Sequence, residues 1–474
     1  MSFSSMLFLW VFFPIVLVIG YLCRRPKIQN VFLLIASLIF YAWGDIHYFP
    51  LLIVLILANY LLGLAIEHFS DRATLSKLMM ALSIVVNLGA LGYYKYANFF
   101  LNTLDKLLPG VTLPRVSLAL PLGISFLVFQ AMTYTIDLYR GRFKAQKNAL
   151  DFALYMAFFP RMSSGPIIRY VEFGDQLSNR ICASRQQFAG GLRRLIYGLG
   201  KKVIIADILG IAADRIFAMD ISGVNGAAAW AGAIFYTLQL YYDFSGYTDS
   251  AIGIAQMFGF KFPENFDYPY LSKSVTEFWR RWHMTLGTWF REYLYIPLGG
   301  NRKGKIRTYV NLFIVFAMTG LWHGASWNFV GWGVYNAFFI IIERMGLKKK
   351  VLDKHVVIGH IYGILTFVVG WVFFRADSIG QGFKLVKRMF CPWLYADVNS
   401  RIGTMISTQS WIACILGILG AGVLAELFKT RSLQPVAAKW KNSIPEAVFL
   451  AAMLFVVFVL TASGSYNAFI YTRF

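Results

Sequence analysis

Acidic residues are scarce in this chain. Its 474 residues include 23 Asp and Glu against 45 Lys and Arg, a formal net charge of +22, and charged side chains make up only 14% of the sequence. A water-soluble protein of this length needs more charge to cover its surface. Here 58% of residues are hydrophobic, 17% are aromatic and the mean hydropathy is +0.57, so the apolar excess must face lipid. Cysteine is also sparse: Cys23, Cys182, Cys391 and Cys414 are scattered and form no CxxC pair. That argues against a disulfide framework and a zinc site. Internal repeats of period about 20–50 are missing, as is the two-halves hydropathy symmetry of many transporters. The basic excess does not read as a nucleic-acid footprint, because the cations lie mostly in short segments between apolar runs. That is the positive-inside pattern of a membrane protein.

The apolar runs set the architecture. Those at 6–22, 29–44, 49–67 and 78–98 are long enough, or nearly so, to cross a bilayer core of about 30 Å. The first carries its cations, Arg24, Arg25 and Lys27, after the apolar stretch rather than before it. This predicts an uncleaved helix with its N-terminus outside the cytoplasm. The loops alternate in charge through five crossings: Arg72–Lys77 inside, Leu107–Pro114 outside, Arg140–Lys147 inside. The fifth run, 117–138, contains Pro121 and Gly123 and invites a bend. The run Phe152–Phe159 is too short to span and is broken by Pro160, Gly165 and Pro166, which fits a re-entrant segment. Arg193, Arg194, Lys201 and Lys202 precede a run to about Ile216. The next run, 227–258, is too long for one simple crossing and carries Gln239, Asp243 and Ser245 at its centre.

From Val275 to Ile296 the spacing predicts one basic, tryptophan-rich amphipathic helix at the membrane interface, with Ser274 and Glu277 spaced as a capping box. The runs 308–322 and 327–343 have basic flanks at both outer ends, so they read as a hairpin entering and returning on the cytoplasmic side, with Trp322–Ser326 as its turn. Runs at 356–374, 408–427 and 446–462 complete the chain. The segment 375–405 falls outside by alternation yet contains Arg375, Lys384, Lys387, Arg388 and Arg401. It reads either as an amphipathic return or as a miscounted helix. The fold class expected is all-α: one polytopic transmembrane helical bundle over 1–474.

Six histidines occur. His47, His68, His355 and His360 fall at run ends, where a solvated or interfacial role suffices. His323 differs, because about 15 helical residues place it some 20–25 Å from the cytoplasmic end of its hairpin. An ionisable residue at that depth is costly unless it is shielded and used. The competing reading makes Trp322 and His323 part of an outer aromatic belt. Gly320 and Gly324 tilt the balance toward function, since small residues let backbones and a substrate approach closely. His283, beside Trp282, reads on position alone as interfacial. Asp243 either lines a polar cavity or pairs with a cation. Arg280 and Arg281 either snorkel to headgroups or hold phosphates of a cytosolic cofactor.

The stretch Phe278-Trp279-Arg280-Arg281-Trp282-His283-Met284-Thr285-Leu286, continuing through Trp289 to Arg302, resembles the signature block of membrane-bound O-acyltransferases. The likeness is to the bacterial branch that includes the alginate and peptidoglycan O-acetyltransferase membrane subunits and the D-alanyl transfer protein of teichoic acid modification. Gly320-Leu321-Trp322-His323-Gly324-Ala325-Ser326-Trp327-Asn328 resembles that family's second block, whose histidine is regarded as catalytic. Further matches are Leu120–Phe126, Phe159-Pro160-Arg161 with Gly165-Pro166-Ile167, Tyr242–Tyr247 and Gly370–Ala376. Ser163-Ser164 departs from the small or apolar residues expected before Gly165.

The resemblance implies roughly 10–12 spans in a bacterial cell (inner) membrane, plus re-entrant and interfacial helices, around a central tunnel. It further implies His323 as catalytic, either as general base toward an acceptor hydroxyl or by directly orienting donor and acceptor, with His283 positioning a donor carbonyl or a water. Donor or substrate contacts would come from Arg280, Arg281, Trp282, Asp243, Trp322 and Asn328, with Lys303 and Lys305 near the phosphates. The donor would be acetyl-CoA or an acyl-carrier-protein thioester, used as substrate with no bound cofactor or metal. A secreted or periplasmic transferase resembling SGNH hydrolases would carry the group to a polysaccharide. A transporter or flippase for a polymer precursor and a non-catalytic membrane scaffold are the rival readings.

Overall fold

A computed structural model describes residues 2–464 except 24, 109–113, 117–118, 401, 430–434, 436–438 and 441. Arg24, Arg401 and the tip of the loop 107–114 therefore lie outside the described residues. Among those described, the secondary structure is helical apart from one isolated bridge, Phe266 to Trp282. Six helices among the described residues are long and apolar enough to span a membrane: Pro26–Gly44, Phe49–His68, Ala73–Leu107, Val356–Arg375, Thr408–Leu427 and Ile444–Ala462. The chain is a polytopic all-α membrane bundle, and its remaining helices are shorter or more polar.

Two compact units are present, 1–195 with 250–263, and 196–249 with 264–474. In the first, helices pair through buried polar contacts, since lipid offers no hydrophobic drive for helices to associate. Asn87 donates to Asn59 Oδ1 at 2.7 Å, and Ser83 donates to Thr135 at 3.0 Å. Gly123, at φ 65°, turns the chain so that a helix starts only at Ile124, which explains the bend expected of run 117–138. The short run expected to re-enter is a helix, Ala149–Ala157, followed after a break at Phe158 by the turn Phe159–Met162, with Phe152 and Leu154–Met162 buried.

In the second unit, the hairpin forms as expected, with arms Lys305–His323 and Trp327–Ile342. Gly320 and Gly333 let the arms touch backbone to backbone, since a Cβ on either would collide with the main chain of Phe329 or Phe316. The segment 375–405 contains an amphipathic helix, Ile379–Phe390, preceded by an ion pair from Arg375 to Asp214 at 2.8 Å. The run 227–258 is one continuous helix, Gly226–Met257.

The single amphipathic helix expected over 275–296 is not what forms. Val275–Arg281 and Met284–Phe290 are separate helices, and Arg291–Tyr295 continues as a wider π turn. The break falls at His283, whose φ is 45°. There the chain is diverted by pairing with the segment at Asn265–Asp267: Asp267 N–H donates to Arg281 O, and Met284 N–H to Asn265 O, both at 3.0 Å. Ser274 caps the first helix as its spacing predicts, accepting from Glu277 N–H at 3.1 Å, while the Glu277 carboxylate reaches back to Lys273 N–H.

Candidate active site

The hairpin and the broken helix together build the site, all of it within the second unit. His323 ends the first arm and is 3% exposed. Its ring meets three others edge-on, with centroids at 5.0 Å for Trp322, 5.2 Å for Trp332 and 5.3 Å for Phe374. Trp322 in turn lies 6.0 Å from the ring of His283, so one indole separates the two histidines. His283 is buried, with Nδ1 at 3.1 Å from Asn265 Oδ1 and Phe244 edge-on at 4.7 Å.

A cavity of about 650 Å³ opens beside them. The broken helix contributes Trp279, Arg280, His283 and Arg291; the first arm contributes Val315, Phe316 and Thr319; the end of the second arm contributes Glu343, Arg344 and Lys348. Thr319 lies one helical turn, about 6 Å, before His323. Four cations thus face a single carboxylate. That carboxylate, Glu343, is itself engaged: it is 2% exposed and accepts from Val275 N–H at 2.6 Å and from Thr276 N–H at 2.9 Å, capping the helix that carries Arg280. The net field in the cavity favours a polyanion, which Arg side chains bind through directed, charge-assisted hydrogen bonds.

A smaller cavity, about 260 Å³, lies at the hairpin's tip, lined by Ser326, Asn328, Phe329, Phe374, Tyr236, Gln239 and the Asp214–Arg375 pair. Phe374 is common to this cavity and to the ring cage of His323. The larger cavity thus reaches Thr319, one turn before His323, and the smaller reaches Phe374, a wall of its cage.

The structure gathers some of the expected residues and sets others apart. His283 and Arg280 line the larger cavity, Asn328 lines the smaller, and Trp322 separates the histidines. Asn328 is also structural, donating to Phe373 O at 2.8 Å and Ala376 O at 2.6 Å. Arg281 lies outside both cavity walls and pairs with Glu277 at 3.0 Å and Asp267 at 3.5 Å. Trp282 is packed among Phe266, Phe278 and Trp371. Asp243 pairs with a cation, Lys202, at 2.9 Å, and Lys202 also reaches Asp207 at 2.6 Å. Lys303 and Lys305 are absent from the cavity wall, whereas Arg291, Arg344 and Lys348 belong to it. The sequence offered Arg344 and Lys348 only as flanking charges. Among the described residues no group of three or more His, Cys, Asp or Glu is placed to hold a metal.

Comparison with known proteins fits this geometry. Residues 139–349 match the model of the membrane-bound O-acyltransferase family, MBOAT. The probable alginate O-acetylase AlgI of Pseudomonas putida is 38% identical across the whole of both chains. The chain belongs to the membrane-bound O-acyltransferase family. The corresponding protein of Azotobacter vinelandii is 42% identical over 89% of this acyltransferase and 85% of its own length. The peptidoglycan O-acetyltransferase of Helicobacter pylori is 35% identical over 82% and 79%. The matched region contains both histidines, the broken helix and the hairpin, so it contains the walls of the larger cavity.

Proposed function

We propose that this acyltransferase takes an acyl group, acetyl in the first instance, from a cytosolic thioester and delivers it across the membrane toward hydroxyls of an extracytoplasmic polysaccharide. The carrying observation is the cationic cavity with His283 in its wall, which ends one turn from His323. The relatives named for alginate and peptidoglycan O-acetylation support the polysaccharide as the destination.

In this reading the phosphates of acetyl-CoA, or of a carrier protein's phosphopantetheine arm, meet Arg280, Arg291, Arg344 and Lys348, and the arm runs toward His323. His323 takes the proton of an acceptor hydroxyl as the oxygen attacks the thioester carbonyl. The C–O bond forms, the C–S bond breaks, and the proton passes to the leaving thiolate. An imidazole suits the task because its ordinary pKa lies near working pH. Asn328 and the smaller cavity hold the acceptor side. A secreted SGNH-hydrolase-like transferase serves as the immediate acceptor or its relay. Arg281, Trp282 and Asp243 hold the frame through the pairs and ring contacts described above.

Charged phosphates do not cross hydrocarbon at tolerable cost, so the donor stays on the side of Arg344 and Lys348 while the acyl group moves. The test uses purified protein in vesicles of orientation established by cysteine labelling, with labelled thioester on one face and acceptor on the other. Transfer is expected only with donor on the face of Arg344–Lys350. Equal transfer with both substrates on the opposite face would refute the transmembrane route.

A further inference from the structure

The hydrogen-bond chemistry at the helix break determines where His283 carries its proton. Asn265 Oδ1 lies 3.2 Å from Thr285 N–H and 3.0 Å from the Thr285 hydroxyl. A backbone N–H can only donate, so the amide atom facing it must be the oxygen; the alternative orientation sets N–H against N–H. The same oxygen stands 3.1 Å from His283 Nδ1. A carbonyl oxygen can only accept, so Nδ1 is the donor and bears the hydrogen. In a neutral imidazole the lone pair then resides on Nε2. Asn265 and His283 are each 1% exposed, which keeps water from competing for these contacts. The positive φ of His283 and the Phe244 ring against its face fix the ring relative to Asn265.

We infer that Asn265 is a positioning residue that locks His283, in the wall of the larger cavity, in the Nδ1-protonated tautomer, leaving Nε2 as the ring's acceptor nitrogen. This rests on the reading of that cavity as the donor's. It changes the role expected of His283. With Nε2 deprotonated, the ring does not hydrogen-bond the thioester carbonyl, which needs a donor. Its part in the cavity wall is therefore that of a neutral ring with an acceptor nitrogen, held in place by Asn265.

The tautomer is measured directly by ¹⁵N NMR of histidine-labelled protein in nanodiscs, with the His283 signals identified by their loss in His283→Gln. A protonated Nδ1 beside an unprotonated Nε2 is expected, and the reverse pattern or a doubly protonated ring overturns the inference. Asn265→Ala should mix the tautomers and lower kcat at least about tenfold with little change in donor KM, since a misplaced imidazole proton can cost far more than that. Asn265→Asp keeps an oxygen at the position. It should retain the fold and the Nδ1 proton, while its charge favours imidazolium and moves the acid limb of the pH–rate profile upward. If Asn265→Ala does not fold, the Asp variant's spectrum and pH limb decide the matter, and an unmoved limb counts against coupling. In a His283→Gln background, Asn265→Ala should cause no further loss; equal losses in both backgrounds would make Asn265 merely structural. The NMR result does not depend on turnover, so failure of the proposed function, shown by an active His323→Ala, is distinguishable from failure of this assignment.

Discussion

The two histidines are close in space and held by different means. His283 is fixed by polar contacts at a left-handed backbone position, one ring nitrogen committed to Asn265. His323 ends a regular helix inside a cage of Trp322, Trp332 and Phe374. A hydrogen bond to a carbonyl oxygen dictates the protonation pattern as well as the orientation. The rings around His323 constrain where its imidazole lies. The first arrangement fixes a protonation pattern; the second fixes a position, which is what the proposed general base needs.

The sharpest way to break this comparison is His323→Ala. O-acylation should fall by about 10²–10⁴ or more, the range of a general base, while the protein still inserts and elutes as a monodisperse species. Wild-type acylation in that variant would remove His323 from the chemistry. Loosening the cage comes next. Phe374→Ala deletes a buried ring shared by His323 and the smaller cavity, and should cost about 3–5 kcal/mol of stability, read as a lowered unfolding temperature in detergent, together with lost turnover. Arg280→Glu or Arg344→Glu should raise donor KM about tenfold or more with kcat largely kept, since each reverses a cation in the wall of the cavity proposed to hold the donor's phosphates. The smallest effect is expected at Arg281. Arg281→Gln should leave donor KM within about twofold and change stability by no more than about 1 kcal/mol, because its partly exposed pairs with Glu277 and Asp267 are surface interactions. Equal KM effects at Arg280 and Arg281 would place both on the donor.

Those expectations show which features the sequence could carry. The long apolar helices and the hairpin were legible because run length and flanking charge decide them locally. The place of His323 at the end of the first arm was legible because the length of a regular helix is simple arithmetic. The break at His283 was hidden, since the residues 275–296 alone have sound helical spacing. What diverts them is Asn265 and its neighbours, which contribute nothing periodic. Arg291, Arg344 and Lys348 were visible as charges but not as members of one wall, because their convergence depends on how the broken helix packs against the hairpin. The pairing of Asp243 was one of two readings open from the sequence. Lys202, a cation close to an apolar run, was the available hint to its partner.

The backbone contact between Gly320 and Gly333 bears on how this enzyme could evolve. Gly320 is one turn from His323, and Gly333 follows Trp332, which touches the same imidazole. Spacing of the arms and shape of the cage are therefore one mechanical variable. A single methyl group at either position must push the arms apart, and the indole moves with its arm. Selection for a bulkier acyl group would then find its first purchase at two residues with no side chain at all, ahead of any residue that touches the group being moved.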